Sequence, residues 1–334
     1  MKPKNNLYYL IPNQENLKQA FKKAAKGKHD RQEVIAFQNN FEANIQILRN
    51  QLLRHEPDIG HYRFFKVCDP KIRTICAASF PERVIHHAVM NICEPVLESY
   101  SIHDSYACRK NKGSRKALAK AQHYARKNEW YLKLDIEKYF DSADHMIMIR
   151  LLSRRFKDKD LLILFDKLLD TYHTKPGKGM PIGNLISQHL ANFYLGYFDH
   201  WIKDELSIKA YLRYMDDFIL FGHDKKYLKT MLSEIKQFLS QELELELNKN
   251  IQLNRCLHGV PFLGYRVYPH MIRLSQRSRS RFAHKFRKYE EKWQKGEWTE
   301  QDLARHMEPL VDFTRAADAH GFRRNVIERF GVSS

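Results

Sequence analysis

The sequence predicts a protein of the α+β class, in which an antiparallel sheet packs on helices. Apolar residues recur at helical spacing through about the first sixty residues and again near the C-terminus. Between these stretches lie short runs in which apolar and polar residues alternate, as half-buried strands require. Because the two patterns interleave irregularly along the chain, they favour this mixed class.

The same patterns predict the elements in order. The N-terminal region is helical, and residues 61–78 read as a hairpin that turns at Asp69-Pro70-Lys71, where proline presets the turn conformation. The elements predicted after it are a helix at about 82–98, a strand at 131–135, a loop at 177–183, a helix at about 187–206, a strand–turn–strand unit at 211–220, a helix at about 225–243 and a strand region beginning at 261.

The chain is strongly basic. Its 334 residues include 57 Lys and Arg against 39 Asp and Glu, which gives a formal net charge of +18 at pH 7. A charge of this size favours a polyanionic partner such as a nucleic acid. The alternative on charge alone is a soluble basic protein of the kind found among ribosome-associated enzymes. After Met271 the basic residues share a helical pattern with aromatic ones, so one face can pack while the other meets phosphate.

Cysteine usage and hydropathy indicate the compartment. The five cysteines are odd in number and include no CxxC pair, which argues against a disulfide framework or a zinc site and for a reducing compartment. No run approaches the roughly 18 apolar residues that a membrane helix needs, and the N-terminus lacks a small-residue cleavage site. We therefore expect a cytoplasmic protein with no membrane partner.

Two adjacent carboxylates, Asp216 and Asp217, lie in YLRYMDDFILFG between blocks of aromatic and aliphatic residues. Most adjacent acid pairs are solvated turns, but apolar flanks on both sides favour a buried pair, whose carboxylates need compensation. Mg²⁺ takes hard oxygen ligands, usually one or two carboxylates together with substrate phosphates. Asp135, at the end of YLKLD, is the obvious carboxylate from a second segment. We expect Mg²⁺, bound together with Asp135 and substrate phosphates, to compensate the pair, and not a Lys or an Arg.

Four segments, in chain order, resemble the motifs of reverse transcriptases. YLKLDIEKYFDS at 131–142 resembles their first palm motif, and GMPIGNLISQHLANFYL at 179–195 resembles their substrate loop and helix. YMDD at 214–217 resembles the catalytic turn, and FLGY at 262–265 resembles the primer-grip hairpin. The resemblance implies an RNA-directed DNA polymerase shaped as a right hand. Its fingers would span 1–130, its palm 131–268 with a fingers insertion at about 145–180, and its basic helical thumb 269–334.

The resemblance also implies roles for residues at matching positions. Asp135, Asp216 and Asp217 would be the catalytic acids that hold two Mg²⁺ ions, with Mn²⁺ as a substitute, and the backbone carbonyl of Ile136 would be a further metal ligand. The primer grip would be Phe262, Leu263, Gly264 and Tyr265. The residues implied to contact the dNTP are Lys66, Arg73, Phe140, Ile182, Gly183, Gln188 and Lys249.

Several of the nucleotide contacts have a plainer alternative. Phe140 would exclude a ribose 2′-hydroxyl and so select dNTPs, or it is a core aromatic. Lys66 and Arg73 would clamp the triphosphate, or they are exposed basic residues on a hairpin, where Lys71 is a further candidate. Lys249 would protonate the leaving pyrophosphate, or it is a surface lysine.

The substrate loop resembles that of diversity-generating retroelements. Many reverse transcriptases have Gln-Gly followed by Ser-Pro, whereas this chain has Ile182-Gly183 followed by Ser187-Gln188. This subtype implies misincorporation at template adenines and a small, basic, helical, oligomeric accessory protein as partner. It also implies template RNA and an RNA–DNA hybrid as partners, and a bacterial or phage-encoded enzyme. Ile182 offers shape where Gln would offer a hydrogen-bonding amide, so it either lowers fidelity or merely packs.

Two alternative functions remain at this point. One is a free-standing bacterial reverse transcriptase of a retron-like or phage-defence system. The other is a non-catalytic RNA-binding protein on the same fold, against which the intact acids Asp135, Asp216 and Asp217 argue.

Overall fold

The structure, a computed structural model, describes residues 3–68 and 72–331, so the predicted turn at 69–71 lies outside the described residues. It mixes helices with antiparallel strands, and the predicted α+β class is confirmed. The helices are α1 (Gln14–Ala25), α2 (Gln32–Asn39), α3 (Phe41–Leu53), α4 (Phe80–Tyr100), α5 (Ser114–Lys127), α6 (Tyr139–Ser142), α7 (His145–Ser153), α8 (Lys159–Asp170), α9 (Leu185–His200), α10 (Lys225–Leu243), α11 (Gln276–Gln294), α12 (Glu300–Thr314) and α13 (His320–Phe330).

The strands form three sheets. They are β1 (Tyr62–Cys68), β2 (Ile72–Ala78), β3 (Trp130–Asp135), β4 (Tyr211–Tyr214), β5 (Asp217–Gly222), β6 (Gln252–Arg255), β7 (Val260–Phe262), β8 (Tyr265–Val267) and β9 (Ile272–Leu274). The sheet orders are β1-β2, β4-β5-β3-β6 and β7-β8-β9. The hairpins predicted at 61–78 and 211–220 are therefore confirmed as β1–β2 and β4–β5.

Contacts divide the chain into two compact units. The first takes Met1–Cys108, Asp135–Ser207 and Glu234–Lys249, and the second takes Arg109–Leu134, Ile208–Ser233 and Asn250–Ser334. The boundaries of fingers, palm and thumb stay a prediction. Within the described residues, no helix combines the length and apolarity that a membrane crossing requires. All five cysteines are free thiols.

The first unit is built on helices with clear start signals. Asn13 caps α1 by accepting from the N–H groups of Glu15 and Asn16, and Ser79 caps α4. The buried faces of α1, α2 and α4 meet in an aromatic cluster of Phe21, Phe37 and Phe80. Such rings supply much of the apolar area that a core buries.

The long helix predicted at 187–206 ends earlier than expected. It is α9, which stops at His200, and a π-helical turn spans Trp201–Glu205. Phe198 and Ile202 are fully buried, whereas Trp201 is half-buried and stacks on Phe238 of α10 with ring centroids 4.2 Å apart. A wider turn of this kind shifts which residues face the core.

The second unit contains the four-stranded sheet, β7–β9 and the C-terminal helices. Strand β6 pairs with β3 in antiparallel register from Trp130↔Arg255 to Lys133↔Gln252. The basic C-terminal segment is helical as predicted, and α11–α13 share a small core of Phe282, Phe286 and Val326. This arrangement buries one stripe of α11 and leaves its basic residues at the surface.

Candidate active site

The acid pair lies at the turn of the β4–β5 hairpin. Tyr214 pairs with Asp217, so Met215 and Asp216 form a two-residue turn between the strands. Met215 has a φ of +59°, a conformation that turns of this kind need at their first central position and that side chains other than Gly or Asn rarely adopt. Such strain persists where the surroundings enforce it, and it concentrates at functional sites.

Arg213 stabilises this turn from inside the second unit. Its side chain is only 1% exposed, and its Nη1 donates a 2.9 Å hydrogen bond to the Met215 carbonyl. The hydrogen bond holds the strained residue in place, because a buried guanidinium needs acceptors. We did not single out Arg213 from the sequence, although an Arg inside the apolar run YLRY was a visible signal.

The ammonium of Lys133 compensates one of the two acids. Its Nζ lies 2.7 Å from Asp217 Oδ1, and the two side chains are 15% and 22% exposed. The expectation that no Lys or Arg would compensate the pair was therefore wrong for Asp217. Alternation along β3 places Lys133 on the same face as Asp135, two residues later, and this spacing was the signal in YLKLD that could have predicted the contact.

Asp135 is the last residue of β3, and the strand next to β3 in the sheet is β5, which begins at Asp217. The chain beyond β3 stays extended in the first unit. There the N–H of Asn248 donates to the Asp135 carbonyl (2.8 Å), and the N–H of Glu137 donates to Glu246 (2.9 Å). The backbone of Ile136 takes part in neither hydrogen bond. Its carbonyl therefore points away from residues 246–248, to the other edge of the strand.

The side chain of Ile136 is buried, at 2% exposure, so only its backbone can serve a ligand. Lys249 follows Asn248 directly and is exposed. The pairing of 246–248 with 135–137 thus brings the backbone next to Lys249 to the end of β3. The role of Lys249 as a proton donor to pyrophosphate stays a prediction.

The substrate loop and Phe140 are joined by backbone hydrogen bonds within the first unit. The N–H of Met180 donates to the Phe140 carbonyl (2.7 Å), and the N–H of Gly179 donates to the Ala143 carbonyl (2.9 Å). The ring of Phe140 is half-buried, and it lies edge-on to Tyr139, with ring centroids 5.7 Å apart. A part-exposed ring is what a sugar gate requires, since a fully buried one could not meet a nucleotide.

The substrate loop also contacts strand β2 of the first hairpin. The N–H of Cys76 donates to the Ile182 carbonyl (2.8 Å). A Cβ on Gly183 would lie 2.7 Å from Ile75 Cγ2, and the φ of Gly183 is +110°. Only glycine fits both constraints, so this residue sets how closely the loop and the hairpin approach.

The other predicted nucleotide contacts lie at the surface of the first unit. Gln188 accepts a 3.5 Å contact from the Cys108 thiol. Lys66 and Arg73 are both exposed. Lys66 is opposite Thr74 and Arg73 is opposite Val67, so the two basic side chains start from opposite faces of the hairpin. They can reach one ligand only by extending around the hairpin.

The predicted primer grip is a tight hairpin turn in the second unit. Phe262 pairs with Tyr265, and Leu263 and Gly264 between them have φ values of +50° and +86°. The Gly264 carbonyl accepts hydrogen bonds from the Ser275 N–H (3.0 Å) and the Ser278 hydroxyl (2.6 Å). The Tyr265 hydroxyl donates to the Phe313 carbonyl. The turn is therefore held against α11 and α12.

Three curated proteins show the range of relatives. Protein YkfC of Escherichia coli (strain K12) is 25% identical over 299 residues, which cover 73% of this chain and 77% of that protein. The putative COX1/OXI3 intron 1 protein of Saccharomyces cerevisiae is 26% identical over 171 residues, which cover 47% of this chain but 20% of that protein. The nuclear intron maturase 4, mitochondrial, of Arabidopsis thaliana is 23% identical over 43% of this chain and 19% of that protein.

Solved structures of telomerase share the fold. The apo enzyme of Candida tropicalis truncated from its C-terminal domain has a TM-score of 0.50 at 13% identity, covering 64% of this chain and 55% of that one. The same enzyme in complex with a fragment of telomeric RNA also has a TM-score of 0.50, at 10% identity, covering 80% and 55%. The chain thus spans about half of each telomerase, and the predicted right-hand polymerase fold is confirmed. The reverse transcriptase (RNA-dependent DNA polymerase) family matches residues 66–267, and this chain belongs to that family.

Proposed function

We propose that the chain is an RNA-directed DNA polymerase that makes cDNA by nucleotidyl transfer assisted by two metal ions. The β4–β5 hairpin carries this proposal. Its strained turn presents Asp216, and β5 begins at Asp217 in the strand next to β3, which ends at Asp135. Family membership supports the same chemistry. A non-glycine residue at positive φ costs conformational free energy, and such strain is found mostly at functional sites. The strain at Met215 therefore supports a functional role for the adjacent acids.

The metal ligands in this proposal are Asp135, Asp216, Asp217 and the carbonyl of Ile136. All are hard oxygen donors, which suits Mg²⁺ and its substitute Mn²⁺. When bound, the two ions would lower the pKa of the primer 3′-hydroxyl and neutralise the charge on the leaving pyrophosphate. Because Lys133 already neutralises part of the charge on Asp217, we assign the larger share of metal binding to Asp135 and Asp216.

The substrate in this proposal is a dNTP. Lys66 and Arg73 bind the triphosphate, Phe140 lies under the sugar, and Lys249 donates a proton to the pyrophosphate. Ile182, Gly183 and Gln188 shape the surface against which the nascent base pair rests. The hydrogen bonds of the loop to Phe140 and Cys76 support the assignment of Phe140, Ile182 and Gly183, because they join these segments directly.

The product is an RNA–DNA hybrid held by the second unit. The Phe262–Tyr265 turn contacts the primer strand, and the basic helices α11–α13 bind the backbone of the duplex. Contacts of this kind weaken steeply with salt and read shape rather than sequence. The net charge of +18 supports a polyanionic product.

The subtype we propose is the enzyme of a diversity-generating retroelement, error-prone at template adenines. Ile182 and Gln188 support it, since they stand where many reverse transcriptases have Gln and Pro. The proposal includes a small, basic, helical, oligomeric accessory protein and a cytoplasmic location, which the five free cysteines favour. Template and variable repeats next to the gene, together with the sequence of co-purified RNA, test the subtype against a retron-like or phage-defence enzyme.

Primer extension tests the activity itself. We expect the full chain to extend a DNA primer on an RNA template with Mg²⁺ and dNTPs, and the double variant Asp216→Ala, Asp217→Ala to bind the same RNA without extending it. Asp166→Ala, at an exposed residue of α8, is the control for loss of an acid. Equal extension by wild type and the double variant would overturn the catalytic assignment. RNA binding with no extension by either protein would instead support a non-catalytic RNA-binding protein. A comparison of wild type with Phe140→Ala, with rNTPs in place of dNTPs, tests whether the Phe140 ring excludes the 2′-hydroxyl.

A further inference from the structure

Three potential metal ligands meet in the first unit, at a place that the proposed polymerase chemistry does not use. One ligand atom each from His145, Asp170 and His173 lies within 4.8 Å of the other two. The three residues come from the start of α7, the end of α8 and the segment that follows α8. We propose that they bind a single divalent ion of the zinc class.

His145 has the features of a metal ligand. The residue is 7% exposed, and its Nε2 lies 2.6 Å from the carbonyl oxygen of Gly179. A carbonyl only accepts hydrogen bonds, so Nε2 carries the proton and Nδ1 keeps the lone pair that a metal needs. Metal-binding histidines commonly donate their second N–H to a backbone carbonyl in this way, which fixes the orientation of the ring.

Asp170 and His173 complete the site from the solvent side. The Nε2 of His173 lies 3.1 Å from Asp170 Oδ1, and the two side chains are 37% and 77% exposed, respectively. The rings of His145 and His173 have their centroids 5.3 Å apart. Ligands of a tetrahedral zinc ion lie roughly 3.3 Å from one another, because each bond is about 2.0–2.1 Å long. Exposed side chains can close the remaining gap by rotating.

The charge distribution favours a cation at this point. Asp170 is the last residue of α8, where the unpaired carbonyls of the helix already concentrate negative charge. A carboxylate in that position is unfavourable on its own, and a bound cation removes the repulsion. Two imidazoles and one carboxylate suit zinc, whereas Mg²⁺ prefers oxygen ligands throughout. The site is therefore chemically distinct from the proposed Mg²⁺ site.

The ion would join α7 and α8 to the substrate loop. The N–H of His145 donates to Gly177 (2.9 Å), and that of Thr174 donates to Lys178 (2.9 Å), so the ligands belong to the same hydrogen-bonded corner as the loop. An ion here would hold the start of the loop, because His145 contacts the carbonyls of Gly177 and Gly179. Its role is positional, and no reacting group is assigned to it.

The experiment uses the full chain, freed of metal by chelation and kept reduced, with Zn²⁺, Co²⁺ and Mg²⁺ as the added ions. We expect one equivalent of Zn²⁺ to bind, Co²⁺ to give a visible d–d band, and Zn²⁺ but not Mg²⁺ to raise the unfolding temperature through this site. Losing an outer partner of a metal ligand weakens affinity by about 10–100-fold, so His173→Ala, which removes a ligand itself, should weaken Zn²⁺ binding by more than about 100-fold.

The chain offers a matched control. His61 and Asp58 form the same Asp-x-x-His pair, with Nε2 2.6 Å from Oδ1 and both side chains 67% exposed, and no third ligand joins them among the described residues. We expect His61→Ala to bind Zn²⁺ as wild type does. Equal Zn²⁺ affinity in wild type and His173→Ala would overturn the proposal. That result is expected if the exposed thiols of Cys68 and Cys108 are the true ligands. Absence of Zn²⁺ binding by wild type would overturn it as well. None of these outcomes depends on primer extension.

Discussion

The Nζ of Lys133 lies 2.7 Å from Asp217 Oδ1, in a pair whose side chains are 15% and 22% exposed. The lysine is on β3, two residues before Asp135, and the aspartate opens β5. Asp217, which we propose as a metal ligand, is therefore paired with a cation of the protein itself. The ion pair limits the orientations open to the Asp217 side chain, which is a form of preorganisation.

Lys133→Met should destabilise the chain and make its stability depend on Mg²⁺. Removing one partner of a mostly buried ion pair leaves the other charge without compensation, which we expect to lower the free energy of unfolding by about 1–3 kcal/mol in the presence of chelator. Mg²⁺ should restore part of that loss, because a cation then meets Asp217 again. Denaturant unfolding with and without Mg²⁺ measures both effects.

Lys18→Met is the control for removing a lysine from an ion pair, since Lys18 pairs with Glu42, whose side chain is 65% exposed. An exposed pair contributes about 0–1 kcal/mol, so this variant should unfold nearly as wild type does. If Lys133→Met also unfolds as wild type does, the ion pair does not hold Asp217.

Gly183→Ala should disturb the contact between the substrate loop and β2. The added methyl would lie 2.7 Å from Ile75 Cγ2 at a φ of +110°, so we expect a loss of about 2–4 kcal/mol in the free energy of unfolding. Gly177→Ala is the matched control in the same loop, with a φ of +70° and nothing within 4 Å. Backbone strain alone should cost that variant about 1–2 kcal/mol. Equal losses would mean that the contact with Ile75 is unimportant.

Ile182→Gln should reduce errors at template adenines. The Ile182 carbonyl is held by the Cys76 N–H, so the backbone can stay in place while the side chain changes from a shape contact to an amide that hydrogen-bonds the nascent pair. Sequencing the cDNA made by both proteins on an adenine-containing RNA gives the error spectra. An unchanged adenine error frequency would assign fidelity to other residues and leave Ile182 a packing role.

Stability should decline in mild acid because of His87. Burial, followed by the charges of Lys23, His86, Lys28 and His189, lowers the pKa of His87 from 6.5 to about 4. Between these values the unfolded chain binds a proton that the folded chain cannot. The His87 contribution is therefore complete above pH 6.5 and is lost progressively as the pH falls to about 4.

His87→Gln tests this pH dependence, because glutamine does not titrate. We expect its free energy of unfolding to fall less than that of wild type between pH 6.5 and 4, as followed by denaturant unfolding at several pH values. His29→Gln, at an exposed residue, serves as the control and should follow wild type. Parallel curves for wild type and His87→Gln would contradict the assignment.

Local patterns in the sequence were sufficient to predict most elements. The helix predicted at 225–243 is α10, and the hairpins at 61–78 and 211–220 are present. The turn at Leu263 and Gly264 was expected from the resemblance of FLGY to the primer-grip hairpin, and Phe262 does pair with Tyr265 across it. The two adjacent acids could be singled out from the sequence, because carboxylates between apolar strands conflict with the surrounding pattern. Such conflicts are expected at functional sites. Each of these signals lies within a few neighbouring residues.

The partners of those residues were decided only by the tertiary structure. Lys133 forms an ion pair with Asp217, Ile75 leaves no room for a Cβ at Gly183, and the rings of His145 and His173 lie close together. The two residues of each pair are well separated along the chain. Periodicity predicts that a side chain faces the core, but it does not predict which residue that side chain will contact. The contact depends on strand order and loop closure, which bring distant segments together. The sequence by itself determined the family, the strands and the acids. The tertiary structure decided which cation compensates Asp217, because only strand pairing sets the distance between β3 and β5.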